Sequence, residues 1–453
     1  MIAPWADRPA QTRLRELEAR HQERGAAEVA DSVHAALAAH HHRIDTQGLV
    51  LYAGTNVLSP AVRAAHDTAL STRPCMGWPG SKVQTGVQEI EDIEVIAITQ
   101  VARSMRATHA ETRFLTATMA NLAVYSAFTE PGDTIAVLSP ESGGHPSHHA
   151  HATAGIRGLT VEYLPYQPDA LDVDTTLISD FLTAILPKLV LVGGSVTLFP
   201  HQLGPIREAA DRVGALLIYD ASHPAGLIAA GYVQAPLAEG AHIITFSTYK
   251  TYAGPAGGAA VTNDSDLAQR ISHAAYPVML SNYDPARLGP LAIAAAEAVD
   301  QTPAWAELTI TAAQELAAQL SALGQVVIGR RRGYTTTHQV VVDVSRHGGG
   351  PAVTTRLAQD GIYVGACRLP WQQPHTPPEG LRLGTQEIVR LGANLHHIPH
   401  LAALLDQSIR SSQAPGDLTA TSTEIRASFG SDIWHAPTTA CGSTHAVAAT
   451  VTD

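Results

Sequence analysis

The chain has 453 residues, 45% of them hydrophobic, enough to bury a large core and to form two or three domains. A formal net charge of −12, from 41 acidic against 29 basic residues, argues against a general nucleic-acid binder and against attraction to an anionic membrane surface. No apolar run reaches the ~18 residues of a spanning helix, the first residues are mixed and charged, and Cys75, Cys367 and Cys441 are too few and scattered for a disulfide framework, which suits a cytoplasmic protein.

Residues 1–50 read as an N-terminal arm, helical from about 8 to 42 on its Ala, Glu, Arg and His content. The cluster His40–His42 has no acidic or cysteine partners in register, so a solvated helix end is expected there and no metal site. Pro60, Pro74, Gly77, Pro79 and Gly80 mark the stretch between Gly54 and Gly86 as mostly loop. From there to about 300, strand-like runs (134–138, 160–164, 189–192, 215–219 and 243–246) alternate with helical segments. Such alternation predicts an α/β fold with a mainly parallel sheet covered on both faces, and ligands beyond the strands' carboxyl ends. The large domain is thus expected over 51–300. A long Ala/Leu helix after Ala304 leads into a smaller α/β domain over 301–411, with a strand at 339–344. Residues 412–453, rich in Ser, Thr, Ala and Gly without periodicity, read as a flexible tail.

Only three lysines occur, at 82, 188 and 250. An arginine can replace lysine on a solvated face but stays protonated and forms no Schiff base, so an enzyme that needs one amine nucleophile has few candidates here. Lys250 ends an apolar strand, Ile243-Ile244-Thr245-Phe246-Ser247-Thr248-Tyr249-Lys250-Thr251, and enters the glycine-rich turn Gly254-Pro255-Ala256-Gly257-Gly258. Desolvation at such a place lowers an amine pKa, and Ser247 and Thr248 are placed to meet a phosphate. Upstream, Ile218-Tyr219-Asp220-Ala221-Ser222-His223 delivers Asp220 and His223 to another strand end, where a buried carboxylate can pair with a protonated pyridine nitrogen. Thr116-Ala117-Thr118-Met119-Ala120-Asn121 opens an apolar helix, and its free N–H groups make either a phosphate cradle or a plain N-cap. In Ser142-Gly143-Gly144-His145-Pro146-Ser147-His148-His149, His145 sits on a glycine turn where it can stack on a flat ring or shuttle protons, although a surface histidine reads the same way in a chain with 23 of them. Arg382, in Gly380-Leu381-Arg382-Leu383-Gly384-Thr385, suits capture of an α-carboxylate, or a salt bridge.

In this order and at these spacings, over roughly residues 45 to 400, the segments resemble the serine hydroxymethyltransferases. Asp220-Ala221-Ser222-His223-Pro224-Ala225-Gly226-Leu227, Ser247-Thr248-Tyr249-Lys250-Thr251 with Gly254-Pro255, and Leu381-Arg382-Leu383-Gly384-Thr385 are similar to three of that family's motifs. The resemblance implies the aspartate-aminotransferase fold (type I), with a mainly parallel seven-stranded sheet between helices, and pyridoxal 5'-phosphate (PLP) as cofactor. It implies Lys250 as the Schiff-base lysine, Asp220 as the pyridinium partner and His145 as the stacking ring. His223 would contact the phenolic oxygen; Thr116, Ala117, Thr118, Ser195, Ser247, Thr248 and Tyr249 would line the cofactor; Arg382 would hold the substrate carboxylate, with Ser195 beside it. It also implies a homodimer, or dimer of dimers, with shared active sites.

Departures from the family pattern bear on the reaction. Its early Tyr-x-Glu-Gly-Tyr-Pro-Gly stretch reads Pro74-Cys75-Met76-Gly77-Trp78-Pro79-Gly80 here, so a thioether stands where the family has a proton-handling glutamate. A later tyrosine pair is Val83-Gln84, Tyr249 and Ala256 replace a histidine and an arginine, and no Gly-Gly phosphate loop is recognisable near Pro277-Val278-Met279. A thioether neither gives nor takes a proton. The expectation is therefore a folate-independent aldolase or transaldolase acting on a threonine- or serine-type β-hydroxy-α-amino acid and an aldehyde. The alternatives are a serine or α-methylserine hydroxymethyltransferase, a racemase or aminotransferase, and a non-enzymatic PLP-fold regulator.

Overall fold

The computed structural model describes residues 3–21, 24–410 and 416–431. At its centre lies a seven-stranded sheet of β1 (His109–Glu111), β2 (Thr134–Val137), β3 (Thr160–Tyr163), β4 (Leu189–Gly193), β5 (Leu216–Asp220), β6 (Ile243–Ser247) and β7 (Gly258–Thr262). The order across the sheet is β1-β7-β6-β5-β4-β2-β3, and every neighbouring pair is parallel except those made by β7. Both faces are covered, which is why the inner strands read as unbroken apolar runs. On β5, Leu217 and Tyr219 enter the core on one face with Val101 and Ile206, while Ile218 enters the other with Val124 and Tyr125. The fold class is the α/β architecture expected.

Crossing strands in parallel places the carboxyl ends of β2, β4, β5 and β6 along one edge. The turns after them carry His145, Ser195, Asp220 with His223, and Lys250, so four motifs far apart in sequence arrive together.

After the helix Pro303–Ala322, the C-terminal part builds a four-stranded antiparallel sheet from Val326–Val327, Gln339–Asp343, Gly365–Cys367 and Gly380–Gly384. Its core joins Leu316, Val340, Val342, Leu381 and Leu401. Leu49 and Leu51 belong to that same core, Leu49–Val50 pairs with Ile362–Tyr363, and Tyr52 bridges Leu383. The chain from 49 to 53 thus runs along the C-terminal sheet, where the sequence suggests the end of the arm and, from 51, the beginning of the large domain. The arm forms helices Arg8–His21 and Ala26–His41, neither with a buried residue.

The tail expected from 412 is a docked helix in its described part, Thr419–Ala427. Its polar sequence hides a small anchor. Asp360, 3% exposed, accepts from Gly416 N at 3.1 Å, Leu418 N at 3.4 Å and Ser408 Oγ at 2.7 Å, and Ser422 Oγ donates to its carbonyl. Residues 411–415 and 432–453, with Cys441, lie outside the described residues. Asp360→Ala leaves two buried donors, Leu418 N and Ser408 Oγ, and the partly buried Gly416 N unpaired, and the loss at a buried donor costs about 1–3 kcal/mol when unrelieved. The variant should unfold at a clearly lower denaturant concentration; an unchanged midpoint would contradict this anchor.

Candidate active site

Of the three lysines, Lys82 is fully buried in an ion pair with Glu94, and Lys188 is exposed at the start of β4. Lys250, 7% exposed, is buried as well, but its amine makes no ion pair or hydrogen bond among the described residues. Burial, against the opposing pull of Asp220, lowers its pKa to about 8, so a useful fraction is the free amine near neutral pH.

Asp220 ends β5 at 1% exposure. Burial pushes its carboxyl pKa up, but the hydrogen bond and charge of His148, with His145 and Ser222, outweigh this and hold it well below the usual range. Oδ2 meets His148 Nε2 at 3.0 Å and accepts from Asn121 Nδ2 at 3.1 Å; Oδ1 accepts from Ser222 N at 2.9 Å. Asn121 is itself oriented by Thr245 Oγ1 of β6, which donates to its Oδ1 at 2.6 Å. Gly193, beside Asp220 at φ +85°, leaves no room for a side chain, since a Cβ there would lie 2.3 Å from Asp220 O.

His145 caps a short turn. Its Nδ1 accepts from Ser147 N at 3.1 Å and lies 2.8 Å from Ser147 Oγ, so in the neutral ring the proton sits on Nε2. Burial lowers its pKa to about 4, which keeps it neutral at physiological pH. The ring is therefore a donor at Nε2, which narrows the expected proton shuttle.

Arg382, 8% exposed, bonds through Nη1 alone, to Ser195 O at 2.5 Å and to His223 Nε2 at 3.3 Å. Its buried Nε has no hydrogen-bond partner among the described residues. A guanidinium held by one corner with an unsatisfied edge is prepared for a carboxylate. Ser195 belongs to the site through its backbone carbonyl.

The phosphate candidates separate. Thr116 caps the helix Ala117–Phe128 by accepting from Met119 N at 3.1 Å, which leaves the N–H groups of Ala117 and Thr118 as the open first turn. Gly258 lies against this turn, where a Cβ would come within 2.3 Å of Thr116 O. Ser247 N donates to Ser222 Oγ at 3.2 Å. Thr248 is fully buried and donates to Pro255 O at 2.6 Å, so its hydroxyl shapes the lysine turn and is not presented to a phosphate. Tyr249 is 38% exposed at the mouth. His148, Asn121, His338 and Gln339 also converge here, and sequence reasoning had assigned a role to none of them.

The serine hydroxymethyltransferase family profile matches residues 27–405. An α-methylserine aldolase of Variovorax paradoxus is 38% identical over 423 residues, covering 93% of this chain and 95% of that protein. The chain belongs to the serine hydroxymethyltransferase family. A serine hydroxymethyltransferase of Methanopyrus kandleri is 37% identical over 391 residues, 86% of this chain and 91% of that one. An L-threonine transaldolase of Pseudomonas fluorescens, solved in its internal aldimine state, superposes with a TM-score of 0.82 at 24% identity over 90% of this chain and 92% of that one. It shares the fold.

This family member is a PLP-dependent enzyme, and its residues fit the cofactor. A free buried amine, an ionised carboxylate ringed by donors and an open helix N-terminus are the three things PLP requires. Among the described residues no helix is long and apolar enough to cross a membrane, and no group of three His, Cys, Asp or Glu side chains could hold a metal. Because the neutral amine is the nucleophile and the amine pKa is about 8, cofactor capture by the cofactor-free protein should quicken about tenfold per pH unit below 8. It should level off above that pH. A rate still climbing at about pH 10 would contradict a desolvated Lys250.

Proposed function

We propose that this enzyme cleaves the Cα–Cβ bond of a β-hydroxy-α-amino acid without folate, with an α-substituted serine such as α-methylserine as the preferred donor and threonine as a second. In balance, the β-hydroxyl loses its proton, the Cα–Cβ bond breaks, the aldehyde leaves, and Cα takes up a proton. α-Methylserine thus gives alanine and formaldehyde; threonine gives glycine and acetaldehyde.

Bound PLP supplies the sink for the electron pair left at Cα. Lys250 would hold it, and as a buried amine of lowered pKa it would serve as a base of suitable strength for the hydroxyl or for Cα. Asp220, held ionised, would pair with the ring nitrogen and keep it protonated. His145 would meet the cofactor as a neutral donor. Arg382 fixes the carboxylate and hence which bond at Cα is aligned. Two of the sequence-stretch candidates act indirectly: Thr248 through the lysine turn, Ser195 through its carbonyl.

The observation that carries folate independence is Met76. Its thioether meets Ser281 Oγ at 3.6 Å, and its backbone N is fixed by Gln84 Oε1 at 2.8 Å. A thioether at this position neither gives nor takes a proton. The aldolase relatives support the donor, and the transaldolase fold supports a second reading in which the carbanion attacks an aldehyde. Holoenzyme without folate should release formaldehyde from α-methyl-L-serine, and Asp220→Ala should lower that rate at least about 100-fold. No aldehyde from either donor, or release only with tetrahydrofolate, would defeat the proposal.

The partner we propose is a second copy. Helix Ala26–His41 exposes Val29, Val33 and Leu37 on one face with 49–52% of each in solvent, and a cavity of about 640 Å³ opens between Trp78, Glu111, Ser272 and Tyr276. A homodimer gives the stripe something to cover. Val33→Glu should shift the mass in solution toward the monomer; a monomeric parent protein would contradict this. Cys75 and Cys367 are buried free thiols, which suits the reducing cytoplasm where we place the enzyme.

A further inference from the structure

His338 precedes the small-domain strand Gln339–Asp343 and is fully buried. Its ring lies parallel to that of His223, with centroids 5.8 Å apart and 12° between the planes. Both rings turn one nitrogen toward the same carbonyl, Ala53 O: His223 Nδ1 at 3.1 Å and His338 Nε2 at 3.3 Å. A carbonyl only accepts, so both of those nitrogens carry hydrogen. Burial, with Lys250 and Arg382 nearby, keeps both rings neutral; it holds His223 well below its ordinary pKa and brings His338 to about 3. A neutral imidazole protonated at Nδ1 has a bare lone pair at Nε2, and in His223 this is the atom that Arg382 Nη1 meets. Next to His338, Gln339 Nε2 donates to Ser195 O at 3.1 Å, the same oxygen that receives Arg382 Nη1. Residues 338 and 339 therefore touch both acceptors that anchor one corner of the guanidinium.

We propose that His338 is a positioning residue for the amino-acid carboxylate: it pins the Ala53 carbonyl and stacks on His223, so that His223 accepts from Arg382 Nη1 and leaves the Nε edge of Arg382 open. This rests on the reading of Arg382 as the carboxylate ligand. A ring that merely filled space would serve equally well as a hydrocarbon. One that fixes a tautomer needs its N–H.

Two variants separate these roles. His338→Leu removes the donor, and His338→Gln restores an N–H near the position of Nε2. Glycine and ethanolamine, which lacks the carboxylate, are titrated against each holoenzyme and followed by cofactor absorbance. His338→Leu should weaken glycine about tenfold or more, the worth of one misdirected charge-assisted hydrogen bond. Ethanolamine binding should stay within about twofold, and His338→Gln should bring glycine back to within about threefold. Wild-type affinity for glycine in His338→Leu, equal loss for both amines, or equal loss in both variants would overturn the proposal. Should the variants fail to fold, neutron diffraction of the wild-type holoenzyme decides it. Deuterium is expected on His223 Nδ1 and His338 Nε2, and deuterium on His223 Nε2 at neutral pH would overturn it. A wild-type protein whose absorbance responds to neither amine would instead defeat the functional reading on which this rests.

Discussion

An ionised carboxylate has to be kept in the dry interior at the end of β5, and the site is arranged around that requirement. Moving Asp220 out of water is costly, and the cost is offset only because three donors from three different elements meet it. Asn121 comes from the helix that also opens the phosphate cradle, His148 from the loop that carries His145, and Ser222 from the turn that carries His223. Asn121 is tied in turn to β6, whose strand delivers Lys250. One buried charge therefore fixes the relative placement of the helix at 117, His145, Lys250 and His223. The same low dielectric that makes Asp220 expensive lowers the pKa of Lys250, so the two groups that differ most in charge preference are tuned by one environment.

The small domain has a complementary task. Its strand Gly380–Gly384 brings Arg382 across to Ser195 O and His223, and on the neighbouring strand's start His338 and Gln339 meet His223 and Ser195 O. The segment near Tyr52 and Ala53 packs with the small domain yet supplies the carbonyl both histidines use. The setting of Arg382 thus depends on contacts between the C-terminal sheet, the chain near Ala53 and the turns after the central strands. The early loop is fixed from beneath by the buried pair of Lys82 and Glu94, and Lys82 also donates to Gly77 O at 2.8 Å.

What was legible in the sequence had a local signature. Inner strands announced themselves because burial on both faces leaves no polar alternation, and Lys250, Asp220 and Arg382 stood out because each follows or sits within such a strand. The family motifs extended this to the fold as a whole. Less legible was anything decided by convergence. His148 and Asn121 lay inside quoted motifs, but only the crossing of β2, β5 and the helix at 117 shows that both face Asp220. His338 is one of 23 histidines and follows three threonines, with no neighbour that marks it. Thr248 was read as a phosphate ligand because a hydroxyl beside the lysine fits that role, and the tight turn to Pro255 claims it. The helix Thr419–Ala427 escaped because its apolar contacts are few, Leu418, Ile425 and Phe429, and the buried Asp360 that completes its anchor lies far back in the chain.

The chemistry stands on Lys250 being the amine that holds the cofactor. Borohydride reduction of the holoenzyme, followed by mass spectrometry of its peptides, tests this directly. The account predicts one reduced pyridoxyl group per chain, on Lys250, and none on Lys82 or Lys188. A label on either of those lysines, or an unlabelled Lys250 in protein saturated with PLP, would contradict it.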